Sequence, residues 1–128
     1  MKIRIRDDAP IFTLFLDVQR CLISDDAIET YPFGQDVYKD TCVIRHKSND
    51  KWFALIFYLD KKLYINVKTE PEIGALLRMQ YPSITHGWHM NKKHWIKADP
   101  ESTPPEVLDE IIKRSFELTA PKSKKRKN

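Results

Sequence analysis

The stretch of sequence most suggestive of chemistry is His89-Met90-Asn91-Lys92-Lys93-His94-Trp95, which places two lysines among polar and aromatic residues. Lysine ammonium groups neutralise phosphates, and an asparagine amide hydrogen-bonds a phosphate or a base edge. The same lysines also fit an ordinary solvated turn, and Trp95 fits either stacking on an unpaired base or packing in the core. The residues that the nucleic-acid interpretation assigns to the contact are Lys68, Asn91, Lys92, Lys93, His94, Lys97, Lys124, Lys125 and Arg126.

The charge is distributed unevenly along the chain, whose formal net charge is +4. Residues 120–128 alone carry +5, so residues 1–119 sum to −1. Within that body, residues 7–36 carry −6 and residues 99–117 carry −4, whereas residues 61–97 carry +5. An anionic partner would therefore approach the middle of the chain if its cations share a face. Interspersed charges also serve solubility alone, and the sequence leaves that alternative open.

Three histidines, His86, His89 and His94, have a spacing that could hold zinc with one open position. No neighbouring cysteine pair or HExxH helix supports such a site, so we predict structural or surface histidines and no bound metal. The two cysteines, Cys21 and Cys42, lie inside apolar patterns without a CxxC spacing. They indicate buried thiols in a reducing compartment, which predicts a cytoplasmic protein.

Catalytic signatures are missing from the sequence. The chain has three glycines in total, so it contains no glycine-rich phosphate loop, and no serine lies in a nucleophile-elbow motif. Pairs such as Asp25-Asp26 are more simply loop residues than an acid and a base. We therefore expect a protein that is not an enzyme and needs no cofactor.

Length and composition predict one globular domain. The chain has 128 residues, of which 41% are hydrophobic and 31% are charged. Its longest apolar run, Trp52 to Leu59, is far too short to span a bilayer, and the amino terminus lacks the apolar segment of a signal peptide. We predict a folded domain over residues 1–119 and a flexible basic tail over residues 120–128.

The periodicity of apolar residues predicts the order α-β-β-β-α-β-α. An apolar stripe with i, i+3, i+4, i+7 spacing indicates a first helix over residues 10–23, and Met1 to Arg6 fits either an edge strand or a frayed end. The three extended runs between residues 37 and 68 predict an antiparallel meander. One face of this sheet should be covered by helices, and the other should be partly polar. The remaining predicted elements are strands over 37–46, 52–59 and 63–68, a helix over 70–80, a turn and strand within 89–97, and a helix that ends near Leu118 after a proline-rich linker.

Four motifs in this order resemble the MmcQ/YjbR family of small bacterial proteins: YPFG at 31–34, INVK at 65–68, HMNKKHW at 89–95 and a last helix ending in SFEL at 115–118. The resemblance covers roughly residues 10–119. It implies a fold like that of CyaY and frataxin, in which an antiparallel sheet packs against helices. It also implies a DNA-binding role, which is inferred in that family from a wing-like arrangement of hairpins.

Two function classes follow. The first is a single α+β domain, CyaY-like and monomeric, that binds DNA through a basic turn and its cationic tail. The second is a small protein-interaction or ligand-binding module whose tail only adds solubility. Iron binding of the frataxin kind would need a carboxylate-rich first helix, and this helix has only Asp17, with Asp25, Asp26 and Glu29 after its end. We expect these acids to form a solvated edge.

Overall fold

The structure is a computed structural model that describes residues 14–34 and 37–122. Predictions about Met1 to Arg6, the start of the first helix and the lysines after residue 122 lie outside these residues. No helix in the described ranges has the length and apolar content needed to cross a membrane. The elements are α1 (14–21), β1 (Ala27–Thr30), β2 (Cys42–His46), β3 (Trp52–Leu59), β4 (Lys62–Lys68), α2 (Pro71–Gln80), β5 (Ile84–His86), β6 (Trp95–Ala98) and α3 (Pro105–Thr119).

The six strands form one sheet in the order β1-β2-β3-β4-β6-β5, with every neighbouring pair antiparallel. This confirms the predicted α+β class and the central meander. The apolar run of β3 begins and ends as predicted, because it lies in the middle of the sheet and is buried on both faces. Pro71 in the first turn of α2 and Pro82 after its end delimit that helix at the predicted positions.

The predicted order was wrong in omitting two strands. β1 and β5 have four and three residues, and each is an edge strand with one partner. Such short edge strands bury few side chains, so their sequences carry little periodic signal. The strand predicted over residues 37–46 is also too long, since residues 37–40 form a turn closed by Thr41 N–H donating to the Tyr38 carbonyl at 2.9 Å.

The helices cover one face of the sheet, where the larger apolar core lies. Ser115 in α3 attaches that helix to two strands, because its hydroxyl donates to the Phe53 carbonyl at 2.6 Å and accepts from the Lys68 N–H at 2.9 Å. This arrangement satisfies a buried hydroxyl between apolar layers. The core side chains from strands and helices include Val18, Ile44, Ile56, Ile65, Ile96, Leu108 and Ile112.

The opposite face carries polar side chains, among them Asn66 and Lys97, as the sequence suggested, but it is not an open surface. It holds a second apolar cluster built on the fully buried Val43 and Phe57, with Leu55 and Trp95 beside them. Two segments outside the strands cover this cluster, one around Phe33 and one between β5 and β6. The aromatic side chains of these segments replace the helices that cover the first face.

Candidate functional site

A cavity of about 230 Å³ opens on the face of the sheet opposite the helices. Its floor is the sheet, and its walls come from the residues just before β2 and from the β5–β6 connection. We call it the aromatic cavity, because five of its eight lining residues are aromatic or imidazole rings. The lining residues are Phe33, Tyr38, Thr41, Trp52, Leu55, Trp88, His89 and Met90.

Trp88 is the most firmly positioned wall of the aromatic cavity. Its ring stacks on Phe57 with centroids 4.2 Å apart and planes 13° apart. The Asn66 amide Nδ2 donates to the Trp88 carbonyl at 2.7 Å, and the Trp88 N–H donates to Asn66 Oδ1 at 3.1 Å. The preceding residue must be glycine, because a Cβ on Gly87 would lie 2.6 Å from Trp95 Cβ. The wall is thus held before any ligand arrives.

Tyr38 and His89 form a more exposed wall that adjoins Trp88. Tyr38 meets the rings of Trp88 and His89 edge to face, with both centroid distances 5.6 Å. Its hydroxyl lies 3.4 Å from His89 Nε2, which is long for a hydrogen bond and is easily exchanged for a ligand contact. His89 has the left-handed backbone conformation, with φ of 55°, which non-glycine residues seldom adopt.

A second depression, of about 350 Å³, adjoins the aromatic cavity and shares Trp88 and His89 with it. We call it the cationic groove, because Lys92 and Lys97 line it together with His86. The described residues that line it include no carboxylate. Its six lining residues are His86, Gly87, Trp88, His89, Lys92 and Lys97.

The sheet register sets the position of Lys97. It is paired with Asn66 across β4 and β6, so it lies on the cavity face beside the residue that holds Trp88. Its Nζ lies 4.6 Å from the centroid of the Tyr64 ring, a cation–π contact that orients the side chain. Lys92 is exposed on the turn before β6. The two lysines therefore come from different elements, and both line the groove.

Lys68 and His94, also predicted to bind nucleic acid, line a different groove. Glu70 lies in the same groove, where Arg114 binds its carboxylate through two hydrogen bonds of 2.8 and 3.2 Å. These hydrogen bonds lower the pKa of Glu70, so the carboxylate stays ionised. Because Glu70 is among its lining residues, the groove beside Lys68 has less positive charge to offer a phosphate than the cationic groove.

The other predicted contact residues have mixed placements. Asn91 stabilises the turn, because its Oδ1 accepts from the Lys93 N–H at 2.8 Å and its carbonyl accepts from the Trp95 N–H at 3.0 Å. Lys93 is exposed, and Trp95 is 7% exposed within the second apolar cluster, so the core interpretation of this tryptophan is correct. The tail cations Lys124, Lys125 and Arg126 lie outside the described residues.

The histidines do not form the zinc triad considered above. His86 and His89 line the cationic groove, whereas His94 lines the groove beside Lys68. In residues 14–34 and 37–122, no three or more His, Cys, Asp or Glu side chains are grouped so that they could hold a metal ion.

Two acidic residues near the end of α1, Asp26 and Asp17, are held by hydrogen bonds or by burial. The Asp26 carboxylate accepts hydrogen bonds from the Ser48 hydroxyl at 2.7 Å and from His46 at 2.9 Å, which lower its pKa. Asp17 is 5% exposed, and burial raises its pKa to about 6 although Arg20 lies 4.0 Å away. The solvated edge expected from the sequence is thus present in part: Asp25 and Glu29 are exposed, whereas Asp26 is held by hydrogen bonds and Asp17 is buried.

The two cysteines are free thiols with no exposed surface. Burial raises the pKa of Cys21 far above its ordinary value and that of Cys42 to about 12. Because the thiolate is the nucleophilic form, neither thiol is suited to nucleophilic chemistry near neutral pH.

Sequence reasoning missed Tyr38 and Trp88 as parts of a site. Trp88 lies in the HGWHM segment, and an aromatic residue between a glycine and a histidine was a local signal for a ligand-binding position. No local signal linked that segment to Tyr38, fifty residues earlier in the chain.

Comparison with known proteins agrees with this fold. The YjbR family model matches residues 24–118. The uncharacterized protein YyaQ of Bacillus subtilis is 38% identical over 100 residues, which cover 70% of this chain and 82% of YyaQ. The uncharacterized protein YbdF of Escherichia coli O157:H7 is 40% identical over 91 residues, which cover 69% of this chain and 68% of YbdF.

Two solved structures are similar in fold. A Pseudomonas syringae protein superposes with a TM-score of 0.71 and 27% identity, covering 83% of this chain and 97% of that protein. The Deinococcus radiodurans protein DR2400, described with domain DUF419, superposes with a TM-score of 0.70 and 30% identity, covering 84% of this chain and 79% of that protein.

Proposed function

This chain belongs to the YjbR family, and we propose that it is a non-enzymatic protein that binds nucleic acid, DNA in particular, through the cationic groove. The observation that carries the proposal is the convergence of Lys92 and Lys97 with His86 in a groove whose described lining lacks a carboxylate. Lysine ammonium groups and an imidazole N–H are donors suited to phosphate oxygens.

The location of this charge supports the proposal. Residues 1–119 carry a net charge of −1, so general attraction between the body of the protein and DNA is weak. Binding by the body therefore requires a local concentration of cations. The cationic groove supplies one, whereas the groove at Lys68 contains Glu70 as well.

The test is a titration of a labelled duplex with the wild type and with Lys92→Glu/Lys97→Glu at two salt concentrations. We expect the double variant to bind more weakly and the slope of log K against log salt to fall by roughly 2, about one for each lost phosphate contact. The matched control is Lys47→Glu/Lys113→Glu, which makes the same charge change at two exposed lysines that do not line the groove. Equal effects of the two variants would contradict a localised site.

Because Lys97 also packs on Tyr64, its reversal could weaken the fold itself. Thermal unfolding of each variant checks this, and Lys92→Glu alone, at an exposed turn position, gives a second variant that retains the Tyr64 contact. A folded Lys92→Glu protein that binds duplex as tightly as the wild type does would count against the groove.

The tail needs its own experiment, because its lysines bind phosphate without help from the fold. A protein ending at Ala120 should bind more weakly with a shallower salt slope, yet its residual binding should depend on Lys92 and Lys97. If truncation abolishes binding and groove reversal in the full chain changes nothing, the tail is a generic polycation. The interaction-module alternative then gains support.

A further inference from the structure

We propose that the aromatic cavity and the cationic groove together form a site for one nucleotide, with its base in the cavity and its phosphate in the groove. The inference deepens the proposed function and rests on it for the phosphate contact. It names the unit recognised as an unpaired nucleotide, whether free or within a single strand.

The first argument is the size and composition of the cavity. A volume of about 230 Å³ is below the range of roughly 300–1,000 Å³ that holds drug-sized ligands, so the cavity takes one ring system rather than a large cofactor. Trp88 is held in a fixed orientation by its stack on Phe57, and the rings of Tyr38 and Phe33, which meet edge to face, also line the cavity. Planar rings in such a setting stack on a base, and stacking accepts any base because every base has a π-face.

The second argument is the presence of polar groups among the rings. The Tyr38 hydroxyl and His89 Nε2 lie 3.4 Å apart, and Thr41 belongs to the same lining. A base edge carries donors and acceptors that suit these groups, whereas a purely aliphatic ligand offers them no hydrogen bond.

The third argument is the continuity of the two depressions. Trp88 and His89 are walls of both, so a ring that stacks in the cavity carries its substituent toward Lys92 and Lys97. An aromatic ring joined to an anionic group is the chemistry of a nucleotide. The paired bases of a duplex are stacked on each other and cannot enter the cavity, which predicts preference for an unpaired nucleotide.

The experiment compares a labelled single strand with a duplex of the same length, using wild type, Tyr38→Ala, Tyr38→Phe and the control Phe15→Ala. Tyr38 is 39% exposed and Phe15 is 55% exposed, so neither truncation opens the core, and Phe15 lies on α1 away from the cavity. We expect the wild type to prefer the single strand. Tyr38→Ala should weaken single-strand binding by about 5- to 150-fold, the range for loss of one base–aromatic stack, and leave duplex binding unchanged. Tyr38→Phe and Phe15→Ala should retain the preference.

Titration with deoxyadenosine monophosphate and with deoxyadenosine, followed by tryptophan fluorescence, distinguishes a free nucleotide from a strand. The site is supported if the monophosphate quenches the fluorescence and if Tyr38→Ala and Lys92→Glu both weaken this quenching. If the quenching is seen but no strand binds, the proposed DNA-binding function fails and the nucleotide site stands. The nucleotide site is overturned if the protein binds single strand and duplex equally, if Tyr38→Ala leaves this binding unchanged, and if the monophosphate causes no change in fluorescence. DNA binding would still stand in that case.

Discussion

The side-chain amide of Asn66 pairs with both backbone polar groups of Trp88, with hydrogen bonds of 2.7 and 3.1 Å. Asn66 is fully buried in β4, and Trp88 lies in the β5–β6 connection, so one side chain substitutes for a strand partner at this point. The connection therefore has a fixed position above Phe57 although it is not part of the sheet. The geometry of the aromatic cavity depends on this pair.

Replacing Asn66 by alanine should lower the free energy of unfolding by about 1–3 kcal/mol, because it leaves the N–H and carbonyl of Trp88 without these partners. Urea denaturation followed by circular dichroism measures the change. Lys92→Ala, an exposed position on the same connection, serves as the control and should stay within about 0.5 kcal/mol of the wild type. An Asn66→Ala protein as stable as that control would show that the pair contributes nothing to the fold.

Gly87→Ala should also destabilise the protein, by about 1–3 kcal/mol, because the added methyl would lie 2.6 Å from Trp95 Cβ and 2.9 Å from the Trp95 carbonyl oxygen. The crowding atoms include backbone, so rotation of a side chain cannot relieve the contact. The thermal midpoint should fall relative to Thr85→Ala, an exposed position in the neighbouring edge strand. A midpoint equal to that of the control would contradict the close approach of β6 to this glycine.

A glycine in the turn between β3 and β4 should stabilise the protein. Asp60 and Lys61 both have positive φ, at 53° and 66°, which is the two-residue hairpin geometry that asparagine and glycine favour. Lys61→Gly should therefore raise the free energy of unfolding by about 0.5–1 kcal/mol. Lys47→Gly, in a turn without positive φ at that residue, should not stabilise the protein. Chemical denaturation of the two variants tests the difference.

Asp17 should make stability depend on pH. Burial raises its folded-state pKa to about 6, whereas an unfolded aspartate titrates near about 3.9. The folded protein thus holds this proton more tightly, and the stability that results is fully present below about pH 4 and is lost as the pH rises through about 6. Asp17→Asn removes the buried charge, so it should flatten this decline and be more stable than the wild type at pH 7.

The measurement is the free energy of unfolding between pH 4 and pH 7, compared with Asp25→Asn, which removes an exposed carboxylate instead. Arg20 keeps its 2.6 Å contact with Asp109 in the Asp17 variant, so it is not left unpaired. A pH profile of Asp17→Asn that follows the wild type would contradict the raised pKa.

Much of the fold was predictable from local sequence. Pro71 and Pro82 bound α2 because proline suits a first helical turn and cannot continue a helix, and the eight apolar residues of β3 require a central strand. The order of these elements with α3 was sufficient for the α+β class. The edge strands β1 and β5 were not predictable, because four or three residues paired on one side only leave almost no pattern.

The site divides in the same way. The sequence by itself determined that cations and aromatic residues are concentrated around HMNKKHW, and it put Lys92 and Lys97 among the candidate contact residues. Only the tertiary structure decided that Lys92 and Lys97 line one groove with His86 while Lys68 lines another with His94, because the chain order does not tell which of these residues the packing of β4, β6 and the β5–β6 connection brings together. The aromatic cavity likewise exists because burial of Phe57 brings Trp88 to Tyr38 across the sheet. Local propensities act between neighbours in the chain, whereas this contact depends on the packing of the whole second face.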